Sequence, residues 1–150
     1  MNSTASRGLV VVVLVTCTML LLWWFVPKPE DRGGYLVTSV VSGDTITVTR
    51  DGETHVVHLL GVKAPADGEC GFDDARQYLV DGIQGVDVVL KPGPDVTTFE
   101  DGSWLRYVEI EGRDAGLALI DAGLAKADGT DHPRADQYGA AESKATPVCR

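Results

Sequence analysis

Histidine and cysteine are scarce in this chain, three of each in 150 residues. No Cys-x-x-Cys pair occurs, and His55, His58 and His132 are scattered, so zinc-ligand spacing is absent. Basic side chains are also few. Lys and Arg number 13 against 22 Asp and Glu, for a net charge of -9. Beyond Gly33 the imbalance deepens to ten Lys and Arg against twenty acidic residues. Nucleic-acid affinity comes largely from Lys and Arg that neutralise phosphates, so composition speaks against a broad nucleic-acid surface. It leaves room for a small local basic patch. Internal repeats and low-complexity runs are absent as well. A chain of this length holds one domain plus an appendage.

The appendage is at the N-terminus. Leu9 to Val26 carries no charged side chain over 18 residues, and about 20 apolar residues cross a bilayer core. Trp23, Trp24 and Phe25 cluster at its far end, where aromatic rings favour the headgroup region. Arg7 precedes the run, while Lys28, Glu30, Asp31 and Arg32 nearly cancel after it. The sequence therefore predicts a cytoplasmic tail (1–8), an uncleaved transmembrane anchor (9–26), a linker (27–34) and a domain (35–150) outside the cytoplasm. A cleaved signal peptide is the alternative, but no Ala-x-Ala site follows the run. Outside the cytoplasm two cysteines usually pair, so Cys70 and Cys149 are expected to form a disulfide.

The domain opens with β-rich segments. Tyr35–Val41 is one strand, Ser42-Gly43-Asp44 turns it, and Thr45–Thr49 alternates apolar and polar residues. Asp51-Gly52 is a hairpin signal, and His55–Val62 reads as a third strand. From Asp73 to Ile83 the period becomes helical, with Phe72, Ala75, Leu79 and Ile83 recurring. Val86–Leu90 and Trp104–Ile110 complete five strands. Asp114 is placed to cap a helix over Ala115–Ala122, with Gly123 as its stop. A last helix follows Pro133 to about Lys144. This order fits an α+β domain built on an OB-type five-stranded β-barrel.

Several motifs resemble the staphylococcal-nuclease-like (thermonuclease) family. They are Ser42-Gly43-Asp44-Thr45, the run Val57-His58-Leu59-Leu60-Gly61-Val62-Lys63-Ala64-Pro65-Ala66, Gly102-Ser103 with the strand after it, and Gly116 to Ala125. The resemblance covers about Val37 to Cys149 and implies the same barrel. It also implies where a calcium-dependent phosphodiesterase would carry its groups. In that family two carboxylates hold calcium, a glutamate after the proline is the proposed base, and two arginines clamp the phosphate. Here Asp44 falls at the first carboxylate, Lys63 at the second and Ala66 at the base. His58 and Ser103 fall at the arginines.

Four of those five groups have therefore changed chemistry. A cation at position 63 opposes calcium, which takes six to eight oxygen ligands. Ala66 accepts no proton. Imidazole and hydroxyl lack the bidentate fork of guanidinium. Asp67, Glu69, Glu100 and Asp101 are the nearby carboxylates open to substitution. The expectation is a membrane-held thermonuclease-like domain without phosphodiesterase activity and without a cofactor, acting as a binding or structural module. Its partners are the membrane and an undefined extracellular protein or ligand, with nucleic acid weak at most. The alternative is an active calcium-dependent nuclease with a rearranged site. The sequence also allows the Lys63 ammonium to stand beside Asp44 in place of a metal, or the two charges to be solvated separately.

Overall fold

The structure, a computed structural model, describes residues 34–94 and 98–149. Its elements are β1 (Tyr35–Val40), β2 (Thr45–Arg50), β3 (Glu53–Leu59), β4 (Val62–Lys63), α1 (Phe72–Ile83), β5 (Asp87–Pro92), β6 (Trp104–Ile110), β7 (Arg113–Asp114), α2 (Ala115–Asp121), β8 (Lys126–Ala127) and α3 (Ala135–Glu142). The predicted anchor at 9–26 and the linker up to Gly33 lie outside the described residues. Among the described residues no helix is long and apolar enough to cross a membrane.

Alternation makes the strands. In β2, Ile46 and Val48 are fully buried while the threonines between them are half-buried. Asp51 and Gly52 both take positive φ, 53° and 85°, the signature of the tight turn that matches strand twist. Glu111 and Gly112 (50° and 77°) repeat it between β6 and β7. Strands β1, β2 and β3 form an antiparallel meander, and β5 and β6 extend it from the β1 side. The sheet then closes on itself. Strand β3 pairs with β6 in parallel, Val57 opposite Trp104 and Leu59 opposite Arg106. The result is a closed five-stranded, OB-like barrel with three helices, of the α+β class.

Val37, Ile46, Val48, Val57, Val88 and Val108 fill the barrel core. Helix α1 packs against β1 and α2, burying Ala75, Leu79 and Ile83, one helical stripe at spacings of four. Leu119 and Ile120 of α2 and Tyr138 of α3 are fully buried behind β6. Asp114 caps α2 as expected, its Oδ1 accepting Gly116 N–H at 2.9 Å and Leu117 N–H at 3.1 Å.

Several strand boundaries differ from the sequence reading, β5 running Asp87–Pro92 and not Val86–Leu90, and the third strand differs most. The third strand ends at Leu59, and Val62–Lys63 is a separate short strand paired with β8. Gly61 causes the break. Its φ is +78°, and a Cβ there would sit 2.2 Å from His132 Nε2. His132 fills the space a Cβ at position 61 would need, so this turn admits only glycine there. The last helix also ends at Glu142, two residues before the expected boundary.

Cys70 and Cys149 form a disulfide across 79 residues, with Cα atoms 6.0 Å apart. It ties the loop before α1 to the segment after α3.

Candidate functional site

The turn between β1 and β2 sets the position of Asp44. Val41 and Ser42 N–H groups both donate to Thr45 O, at 2.9 and 3.1 Å. Gly43 lets the turn press inward, since a Cβ would lie 2.6 Å from Ala75 Cβ and 2.8 Å from Ala64 Cβ. That close approach brings the Asp44 carboxylate against the chain after β4. Oδ1 accepts from Ser42 Oγ at 2.8 Å and from Thr45 Oγ1 at 3.0 Å. Oδ2 accepts from Ala64 N–H at 3.1 Å.

His58 lies directly across the β2–β3 ladder from Thr45. Its Nδ1 is 3.0 Å from Thr45 Oγ1. The threonine proton goes to Asp44, so Thr45 Oγ1 is the acceptor for an Nδ1–H. In a neutral ring this leaves Nε2 as the bare nitrogen. Phe99 meets the imidazole edge-on, with centroids 5.5 Å apart.

The loop before β6 adds Asp101 and Ser103. Ser103 is buried, and its N–H and Oγ donate to Asp101 Oδ1 at 2.9 and 2.6 Å. These bonds, the hydroxyl first, hold the Asp101 carboxyl below its usual range, and His58 adds a smaller attraction. Arg106 sits further along β6 with its guanidinium over the Trp104 ring, 5.2 Å from the centroid.

The fold therefore joins Asp44 to His58 through Thr45 and sets Asp101 and Ser103 nearby. It does not bring Lys63 to Asp44. Lys63 is exposed and faces Lys126 across the β4–β8 pair. The backbone N–H of Ala64 takes the place beside Asp44 instead. Ala66 donates its N–H to Glu69 Oε2 at 2.8 Å, so Glu69 closes its own turn. Asp67 and Glu100 are exposed.

This donor set does not fit calcium. The Asp44 carboxylate already accepts three hydrogen bonds, two at Oδ1 and one at Oδ2, and Lys63 and Ala66 add no carboxylate oxygen beside it. Among the described residues no group of three or more His, Cys, Asp and Glu is arranged to hold a metal.

A second polar cluster escaped the sequence reading. Glu109 and Asp114 lie directly opposite in the β6–β7 pair, an arrangement that by itself is repulsive. Arg134, entering α3, bridges them, with 2.5 Å to Glu109 Oε1 and a direct bond to Asp114 Oδ2. Lys91 adds a 2.7 Å contact to Glu109 Oε2, and Tyr138 OH donates to Asp114 Oδ2 at 2.8 Å. Burial weakens the Glu109 charge, but Lys91 and Arg134 outweigh it and hold this carboxyl below its usual value. Burial pushes the Tyr138 hydroxyl well up, and Asp114 adds to this. The Arg134 guanidinium also covers the Tyr107 ring at 4.1 Å, and Tyr107 OH reaches His132 Nδ1 at 2.9 Å. Asp114 was legible as a helix cap, but its second role depends on an arginine 20 residues away.

No protein-family model matches the chain, and no curated protein matches it.

Proposed function

We propose that residues 35–150 form a thermonuclease-like domain that has lost phosphodiester hydrolysis. It serves as a binding or structural module, held outside the cytoplasm by the apolar run at 9–26. The observation that carries this reading is the state of Asp44. By the sequence resemblance this carboxylate falls at the family's calcium position, yet it already accepts hydrogen bonds from Ser42, Thr45 and the Ala64 N–H, and Lys63 and Ala66 stand where the family's other carboxylates would fall. The remaining positions support it. Ala66 has no proton acceptor, Ser103 is buried and bonded to Asp101, and His58 is engaged with Thr45. A phosphate approaching this face would meet no paired guanidinium clamp at positions 58 and 103.

The test is a cleavage assay on the full chain, with single-stranded DNA and RNA, with and without calcium. The expected result is no calcium-dependent product and no calcium-induced rise in Tm. Calcium-dependent cleavage abolished by Asp44→Ala would overturn the reading. It would mean that Asp67, Glu69, Glu100 or Asp101 supplies the missing oxygens.

A further inference from the structure

A cavity of about 520 Å³ opens between the β4–β8 pair, the chain after α2 and the C-terminal segment. None of Asp44, His58, Asp101 or Ser103 lines it. Its volume lies within the range of small-molecule sites. The walls are largely apolar, with Leu124, Pro147 and Val148 among them, and the Cys70–Cys149 disulfide forms part of the lining.

Two cations stand in this apolar lining. Lys63 and Lys126 are direct cross-strand partners, so their side chains leave the same face with Cβ atoms about 5 Å apart. Both line the cavity. Like charges directly opposite destabilise a strand pair, and the rest of the domain is acidic enough to offer many alternatives. Yet among the described residues neither ammonium has an ion-pair partner. Two carboxylates, Glu69 and Glu142, also stand in the cavity wall, and neither forms an ion pair with these lysines. Glu69 Oε2 accepts Ala66 N–H at 2.8 Å, and Glu142 Oε2 accepts Ala127 N–H at 3.2 Å.

We propose that this cavity is a binding site for a small organic monocarboxylate. The carboxylate sits between the Lys63 and Lys126 ammonium groups. The apolar body lies on Leu124, Pro147 and Val148. The anion relieves the lysine repulsion, and the apolar wall excludes a bare inorganic ion as the preferred occupant. The site includes Lys63 and Glu69, two of the positions weighed for nuclease chemistry, but none of the hydrogen bonds that join Asp44, Thr45 and His58 or Asp101 and Ser103.

The experiment uses the full chain in zwitterionic lipid nanodiscs, with the methyl groups of leucine and valine labelled for NMR. The probes are 3-phenylpropionate, its neutral amide 3-phenylpropionamide, and inorganic phosphate. The expected result is saturable shifts of the Leu124 and Val148 methyl signals with 3-phenylpropionate. The amide should bind at least tenfold more weakly, and phosphate should leave those signals unmoved. Lys63→Met with Lys126→Met keeps apolar bulk and should weaken the carboxylate at least tenfold while leaving the amide unchanged. Equal binding of acid and amide would overturn the proposal, as would phosphate shifting the same signals or no shift at all. Should the double variant fail to fold, the acid–amide comparison on the native protein and Lys63→Met alone decide the matter.

Discussion

Asp44 is fixed by its neighbours' hydrogen bonds. Three donors converge on its carboxylate, one of them a main-chain N–H twenty residues away. It therefore acts as a clasp between the β1–β2 turn and the segment after β4. Removing one partner leaves the others unsatisfied, which costs about 1–3 kcal/mol per buried group. Asp44→Ala should lower the unfolding free energy by about 1–2 kcal/mol, given the partial exposure of the turn, as measured by urea denaturation. Asp44→Asn keeps one acceptor and should lose less. Gly61 is the second residue with a structural duty. Alanine there would combine a left-handed backbone with a Cβ 2.2 Å from His132 Nε2. Gly61→Ala should cost at least about 2 kcal/mol. A Tm within a degree of the native value would contradict that account.

Between elements, Arg134 holds together what the β6–β7 pairing alone would push apart. It joins β6, the N-terminus of α2 and the start of α3 through Glu109 and Asp114. Breaking a buried pair by removing one partner costs about 3–5 kcal/mol, because the remaining charges stay buried and uncompensated. Arg134→Met should therefore destabilise the domain by about 3 kcal/mol. The pH dependence follows from Glu109. Its carboxyl is held below its ordinary value of 4.5 in the fold. A depressed carboxyl contributes stability above its unfolded value and loses that contribution as pH falls through the folded one. The native domain should therefore lose stability below about pH 4.5. Glu109→Gln should be less stable at neutral pH and show a shallower acid limb in chemical denaturation. An unchanged slope would remove Glu109 from the explanation.

Across the whole domain, the disulfide is the one covalent closure. It spans 79 residues, and a loop of that length contributes about 4–5 kcal/mol in the chain-entropy model. Measured effects often fall nearer 2–4 kcal/mol, so Cys149→Ser should lower the unfolding free energy by that amount. The variant should leave the barrel's far-UV circular dichroism intact, because the core is built from β1, β2, β3, β5 and β6 without it. Loss of all sheet signal would show that the C-terminal tie is needed to fold.

Much of this architecture was legible along the chain because it rests on local signals. Alternation in Thr45–Thr49, the Asp51-Gly52 turn, the Ala75–Leu79–Ile83 stripe and the Asp114 cap each act over a few residues, where period and backbone geometry suffice. The Cys70–Cys149 pairing was legible for a different reason, since the domain holds no other cysteine. The site was legible only as a list of positions. Spacing placed Asp44 and Lys63 where a family motif would have them, but it did not say whether they meet. That outcome depended on Gly43 packing against Ala64 and Ala75, which brings a backbone N–H, and not an ammonium, to the carboxylate. The same holds for Lys63 beside Lys126 and for Arg134 between Glu109 and Asp114. Such contacts join residues 20 to 63 positions apart in the sequence, and no periodicity reports a distance that only barrel closure and helix packing create.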